Sequence, residues 1–132
     1  MDASTRILVV DDMPAVRLIL RNMLEEAGFT HVVEAEDGDV AWQAIRASIV
    51  GGPADRIGLV ICDWNMPAMT GVELLRAVRA NVHTRELPFL MVTAEGDRAH
   101  FEEAGAAGVT DYIVKPFDAA ELARRIRTLT GG

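Results

Sequence analysis

Four apolar runs in this chain end in a side chain that could do chemistry. Ile7 to Val10 runs into Asp11-Asp12, Leu59 to Cys62 into Asp63, Phe89 to Val92 into Thr93, and Tyr112 to Val114 into Lys115-Pro116. If the first and third runs are neighbouring strands, three carboxylates share one small pocket. Unit charges about 4 Å apart repel by about 4 kcal/mol at a surface-like effective dielectric, so such a group must take up protons or a cation. Oxygen ligands with no histidine or cysteine among them favour a hard divalent ion, Mg2+, which keeps several waters and combines one or two carboxylates with a phosphate oxygen. Asp63 could then attack phosphorus in line, with the cation and Lys115 neutralising the oxygens that would otherwise repel it. The product would be an aspartyl phosphate.

The elements that must position these groups alternate. Counting Val32 to Ala35, five short runs read as strands, each followed by a helical pattern. Val16, Ile19, Leu20, Met23, Leu24 and Ala27 mark one helix face, and Gly28 stands where a left-handed cap would end it. A second helix is expected over Asp39 to Ser48, with Val40, Ala41, Ala44 and Ile45 inward, before Gly51-Gly52-Pro53. A third follows Gly71 with Val72, Leu75 and Val78. A polar fourth covers about Asp97 to Ala104. The fifth starts near Asp118, an N-cap with Glu121 three residues on, and carries Leu122, Ile126 and Leu129. Strands buried on both faces and joined through helices imply an α/β fold, a parallel sheet with helices on each side. Functional groups then collect beyond the carboxyl ends of the strands.

Composition excludes several classes of partner. Half the 132 residues are apolar, enough for the core of one domain, and the formal net charge of −7 gives no attraction to nucleic acid or anionic membrane. The single cysteine, Cys62, has no internal disulfide partner, and the start of the chain lacks a charged-then-apolar signal pattern, so a cytoplasmic protein is expected. The apolar runs are far shorter than the roughly 20 residues of a membrane helix. With the chain ending at Gly131-Gly132, residues 1–132 are expected to form one domain with no output domain.

The successive stretches "VVDDM", "AEDG", "LVICDWNMP", "LMVTAEG" and "DYIVKPF" resemble, in order, the signatures of the receiver domain of bacterial two-component response regulators. "DWNMP" with "VTAE" is similar to its CheY-like chemotaxis branch. The resemblance implies a flavodoxin-like (βα)5 sandwich. Its strand order, 2-1-3-4-5, is inherited from the family, for which CheY is the standard example, and is not read from these residues. The resemblance further implies a phosphoacceptor at Asp63 and Mg2+ held by Asp11, Asp12, Asp63 and the backbone carbonyl of Asn65. Lys115 would be the ion-pair partner of the site, Thr93 and Tyr112 the switch pair, Asn65 and Glu95 the residues that tune dephosphorylation, and Pro116 a cis-proline. The implied partners are a sensor histidine kinase of the chemotaxis type, a downstream target such as a flagellar motor switch protein, and a phosphatase.

Simpler readings stand beside these. Asp11-Asp12 alone reads as a solvated first turn, Asp63 as a cap, Lys115 as a surface charge, and Thr93 and Tyr112 as ordinary strand residues. Cys62 should point away from the site as a small buried residue, Met66, Met69 and Met91 should pack, and Trp64 should sit half exposed beside the acceptor. His31, His83 and His100 show no ligand spacing and read as surface residues. The stretch from Arg46 to Gly58 is longer than the CheY pattern and bears on partner choice. Two other functions remain open: an aspartate-nucleophile phosphohydrolase, disfavoured by Asn65 where an acid would serve the leaving group, and a receiver used as a phosphorelay shuttle, phosphate sink or pure binding module.

Overall fold

The computed structural model describes residues 4–129. In chain order the elements are β1 (Arg6–Val10), α1 (Pro14–Glu26), β2 (Val32–Ala35), α2 (Gly38–Val50), a short 3-10 turn at Pro53–Asp55, β3 (Ile57–Cys62), α3 (Gly71–Ala80), β4 (Phe89–Thr93), α4 (Arg98–Ala107), β5 (Asp111–Val114) and α5 (Ala119–Leu129). The five strands form one parallel sheet in the order β2-β1-β3-β4-β5. Gly131 and Gly132, on which the expectation of no further domain rests, lie outside the described residues.

Strand alternation divides the core in two. Leu8, Val10, Val60, Cys62, Phe89 and Met91 point to one face, where they meet Ala41 and Ile45 of α2, Leu74, Leu75 and Val78 of α3, and Ala104 of α4. Ile7, Val9, Leu59, Ile61, Leu90, Val92 and Ile113 point to the other and meet Leu20 and Leu24 of α1 and Leu122 and Ile126 of α5. Cys62 is therefore buried and free, as its place in the alternation requires. No helix among the described residues is long and apolar enough to cross a membrane.

The helix ends follow local chemistry. Thr70 and Glu73 make a reciprocal capping box on α3, while Asp37, Asp97 and Asp118 accept from the backbone N–H groups of Val40, His100 and Glu121. Gly28 at φ +98° lets α1 end in a left-handed turn, the Gly28 N–H donating to Glu25 O and the Phe29 N–H to Leu24 O.

Two helix faces are narrower than the spacing predicts. Ile19 and Ala27 are exposed, because α1 buries only the stripe through Leu20 and Leu24 with Val16 and Met23 beside it. Val40 is likewise exposed: α2 turns Gly38, Ala41, Ile45 and Ser48 to the core, and Val40 lies one residue, about 100° of helix, off that line. α2 also starts earlier than expected, at Gly38, and continues to Val50. With the 3-10 turn it absorbs the long stretch before Gly58.

Candidate functional site

The parallel ladder runs one residue past the strand ends and carries the polar groups with it. Val10 pairs with Cys62 across β1 and β3, and the Asp63 N–H then donates to Val10 O at 3.0 Å, so Asp11 and Asp63 leave adjacent strands side by side. Similarly the Lys115 N–H donates to Thr93 O at 2.9 Å, which ties the end of β5 to the end of β4. Lys115-Pro116 is cis, as the sequence resemblance implies.

Four charged side chains converge there. Carboxylate oxygens of Asp11, Asp12 and Asp63 lie within 4.8 Å of one another. Lys115 Nζ stands 3.5 Å from Asp11 Oδ2 and 3.7 Å from Asp63 Oδ2. The Trp64 N–H donates to Asp63 Oδ1 at 2.7 Å, and the Met13 N–H to Asp11 Oδ1 at 2.9 Å. Asp11 is 1 % exposed, Asp12 exposed and Asp63 intermediate. Burial pushes the Asp11 carboxyl above its ordinary value, and the charges on Asp63 and Asp12 add to this against the pull of the Met13 N–H and Lys115. A buried acid with two anionic neighbours and one cation is short of positive charge. The ligand atoms that Asp11, Asp12 and Asp63 offer are all carboxylate oxygens, which fit a hard divalent ion.

The loop after β3 depends on a missing side chain. A Cβ on Gly71 would stand 2.2 Å from Asp63 O, and the Gly71 N–H donates to Trp64 O at 2.8 Å. Only glycine lets α3 start this close to the residue that follows the strand. Trp64 itself is buried at 6 %, not half exposed, because its side chain joins the core cluster of this face of the sheet.

Beside the charged cluster runs a chain of hydrogen bonds. Thr93 is fully buried, and its Oγ1 accepts from the Glu95 N–H at 3.1 Å. The Tyr112 hydroxyl donates to the Glu95 carbonyl, its ring buried edge-on to Phe101 with centroids 5.5 Å apart. Asn65 Nδ2 donates to Glu95 Oε1 at 2.7 Å, joining the β3–α3 and β4–α4 loops. The structure thus gathers Asp11, Asp12, Asp63 and Lys115 in one place, and Asn65, Thr93, Glu95 and Tyr112 in a connected line next to it.

Kinship with known proteins extends along almost the whole chain. The response regulator receiver domain family matches residues 7–127. The chain is a response regulator receiver domain. This receiver is 44% identical over 124 residues to the chemotaxis protein CheY of Pseudomonas aeruginosa, covering 94% of each chain. Its fold is similar to the crystal structure of Vibrio cholerae chemotaxis protein CheY4, with a TM-score of 0.83 and 32% identity over 95% of this chain and 98% of that one. It is also similar to the receiver domain of a Pseudomonas aeruginosa sensor histidine kinase with a magnesium ion coordinated in its active site cleft. There the TM-score is 0.80 and the identity 30%, over 97% and 98% of the two chains.

Two residues near the receiver's site are not legible as such in the sequence. Arg17 Nη1 donates to Asp11 O at 2.5 Å while its Nε pairs with Glu34 at 3.0 Å, which pins the β1–α1 turn. His100, expected on the surface without partners, has its Nδ1 2.7 Å from Asp97 Oδ1 and its ring 4.6 Å from that of Trp64. The spacing of Asp97 and His100, a cap and the third residue of its helix, is the one signal that could have paired them; the contact with Trp64 is tertiary. His31 and His83 are exposed, as expected.

Proposed function

We propose that Asp63 accepts a phosphoryl group in a Mg2+-dependent reaction and that the modified domain changes its affinity for a partner. The observation that carries this reading is the placement of Lys115 within 3.7 Å of Asp63 and 3.5 Å of Asp11 at one rim of the sheet. Asp11, Asp12, Asp63 and the Asn65 carbonyl would hold the cation, which when bound supplies positive charge to the oxygens of the incoming group. A carboxylate oxygen of Asp63 forms the new bond to phosphorus as the bond to the donor breaks, and the donor leaves with that electron pair. Trp64 N–H fixes one oxygen of the nucleophile, and Lys115 offers its ammonium beside the other.

The added group carries a charge near −2 and new acceptor oxygens. Thr93, whose hydroxyl accepts from the Glu95 N–H, would turn to donate to it, and Tyr112, held by the Glu95 carbonyl, would follow the resulting movement of the β4–α4 loop. That carries the signal to α4, β5 and α5. Kinship with chemotaxis regulators favours a cytoplasmic partner pair: a chemotaxis-type histidine kinase as donor and a motor switch protein as target. Asn65 and Glu95, hydrogen-bonded to each other, stand where they would control the approach of hydrolytic water.

Acetyl phosphate should label the protein at Asp63 only when Mg2+ is present, and the Asp63→Asn variant should stay unlabelled by intact-mass spectrometry. Full labelling of that variant would refute the assignment.

A further inference from the structure

His100 occupies a position that the phosphotransfer itself does not use. It is the third residue of α4, its side chain is 31% exposed, and its Nδ1 lies 2.7 Å from Asp97 Oδ1. Because Asp97 is ionised and can only accept, the proton of a neutral ring must sit on Nδ1. Nε2, on the opposite side, lies 4.0 Å from Glu95 Oε2. The other oxygen of Glu95 accepts from Asn65 Nδ2 at 2.7 Å. So one carboxylate is hydrogen-bonded by the amide two residues past Asp63 and faced on its other oxygen by the imidazole.

The sign of the second interaction depends on one proton. Protonated, Nε2 presents an N–H to a carboxylate oxygen and attracts it. Neutral, it presents a lone pair to an acceptor and repels it. We propose that His100 is a positioning residue for the phosphoryl site: its imidazolium holds Glu95 against Asn65, closing a bridge between the two loops that flank Asp63 and Thr93, and its neutral form releases that bridge. The inference rests on phosphorylation at Asp63 and adds a pH-dependent lifetime to it.

The surroundings favour the imidazolium. Asp97, chiefly through its hydrogen bond, raises the His100 pKa above its ordinary value, with Glu95 and Glu103 adding to it against some desolvation. Glu103 is shared with Arg76 of α3 at 2.9 Å. From the β3–α3 loop Trp64 faces the ring, with Asp63 next to it in sequence. From β5, Tyr112 reaches Glu95 through its backbone carbonyl, and burial raises its own pKa, so it stays neutral over this range.

The test has two readouts. An imidazolium against an indole quenches fluorescence, so in a Trp42→Phe background Trp64 emission should rise with pH through a midpoint above 6.5, and His100→Phe should abolish that step. With Mg2+ saturating, loss of label from acetyl-phosphate-treated protein should be followed at about pH 5.5 and about pH 8.5. Relative to His100→Phe, the wild type should lose phosphate about two- to fivefold faster at the higher pH than at the lower, the range open to an ion pair this exposed. His100→Lys, charged throughout, should be slow at both. A labelled wild type whose pH ratio equals that of His100→Phe overturns the proposal while leaving phosphorylation standing. A wild type that takes no label at all defeats the phosphoacceptor reading, and this one with it.

Discussion

Replacing Asp11 by asparagine should stabilise the protein without metal and remove its response to metal. Asp11 is buried at 1 % exposure, with oxygens of Asp12 and Asp63 no more than 4.8 Å away and Lys115 at 3.5 Å. At an effective dielectric near 20, each like-charge pair at that limit costs about 3.5 kcal/mol and the Lys115 pair returns about 5 kcal/mol. Screening of the exposed Asp12 trims the repulsion, and desolvation of the buried carboxylate adds to the cost, leaving a net penalty of about 1–2 kcal/mol. Asparagine keeps an oxygen for the Met13 N–H and carries no charge. For a chain of this length about 1 kcal/mol moves Tm by about 4 °C, so the variant should melt about 4–8 °C higher in EDTA at neutral pH. The wild type, at Mg2+ tenfold above its Kd, should gain about 1.4 kcal/mol, and the variant almost none.

The pH dependence has a definite sign. The folded pKa of Asp11 is raised, so its penalty is absent below the unfolded value and appears as pH rises through the folded one. The advantage of Asp11→Asn should therefore shrink in acid, and Mg2+ binding by the wild type should weaken as pH falls through the same value. Differential scanning calorimetry in EDTA and in Mg2+ decides both points. A variant melting at or below wild type without metal, or keeping the full Mg2+ shift, would refute the charge accounting.

Three further outcomes follow from named contacts. Gly71→Ala drives a Cβ against Asp63 O and should cost about 2–3 kcal/mol in urea unfolding together with weaker Mg2+ binding; unchanged values would mean that the close approach is dispensable. Lys115→Ala should still bind Mg2+ and beryllofluoride, but hydrogen exchange of the α4–β5 segment should no longer respond to the anion; a wild-type response would remove Lys115 from signal propagation. Burial is the largest single influence on Glu34 and raises its pKa, but hydrogen bonds from Arg21 and Arg17 outweigh it and hold the pKa below the ordinary value. Its contribution is thus present above the unfolded pKa and lost as pH falls through the folded one. Glu34→Gln should cost no more than about 1 kcal/mol at neutral pH and nothing in strong acid; an equal loss at both would exclude the ion pairs as the cause.

The sequence by itself carried the alternation of strands and helices, the capping residue Asp118, and the polar residue at the end of each of four strands. These are legible because period, caps and strand ends are local: they depend on residues a few positions apart. The same locality explains why Asp11, Asp12, Asp63 and Lys115 could be nominated together once the strands were taken as parallel, since a parallel sheet puts equivalent ends on one rim.

What the tertiary structure decided is which faces meet. Ile19 and Val40 fit their helical spacing yet stay in water, because the width of a buried stripe is set by the surface it packs on and not by the helix. Trp64 turns inward with its ring against His100 of α4, and that contact forms only when the β3–α3 and β4–α4 loops come side by side. Contacts between residues some thirty positions apart, such as Asn65 with Glu95, leave no periodic trace in a single chain. They depend on how two layers of helices settle on a sheet, where the energy lies in packing and desolvation and not in local conformation.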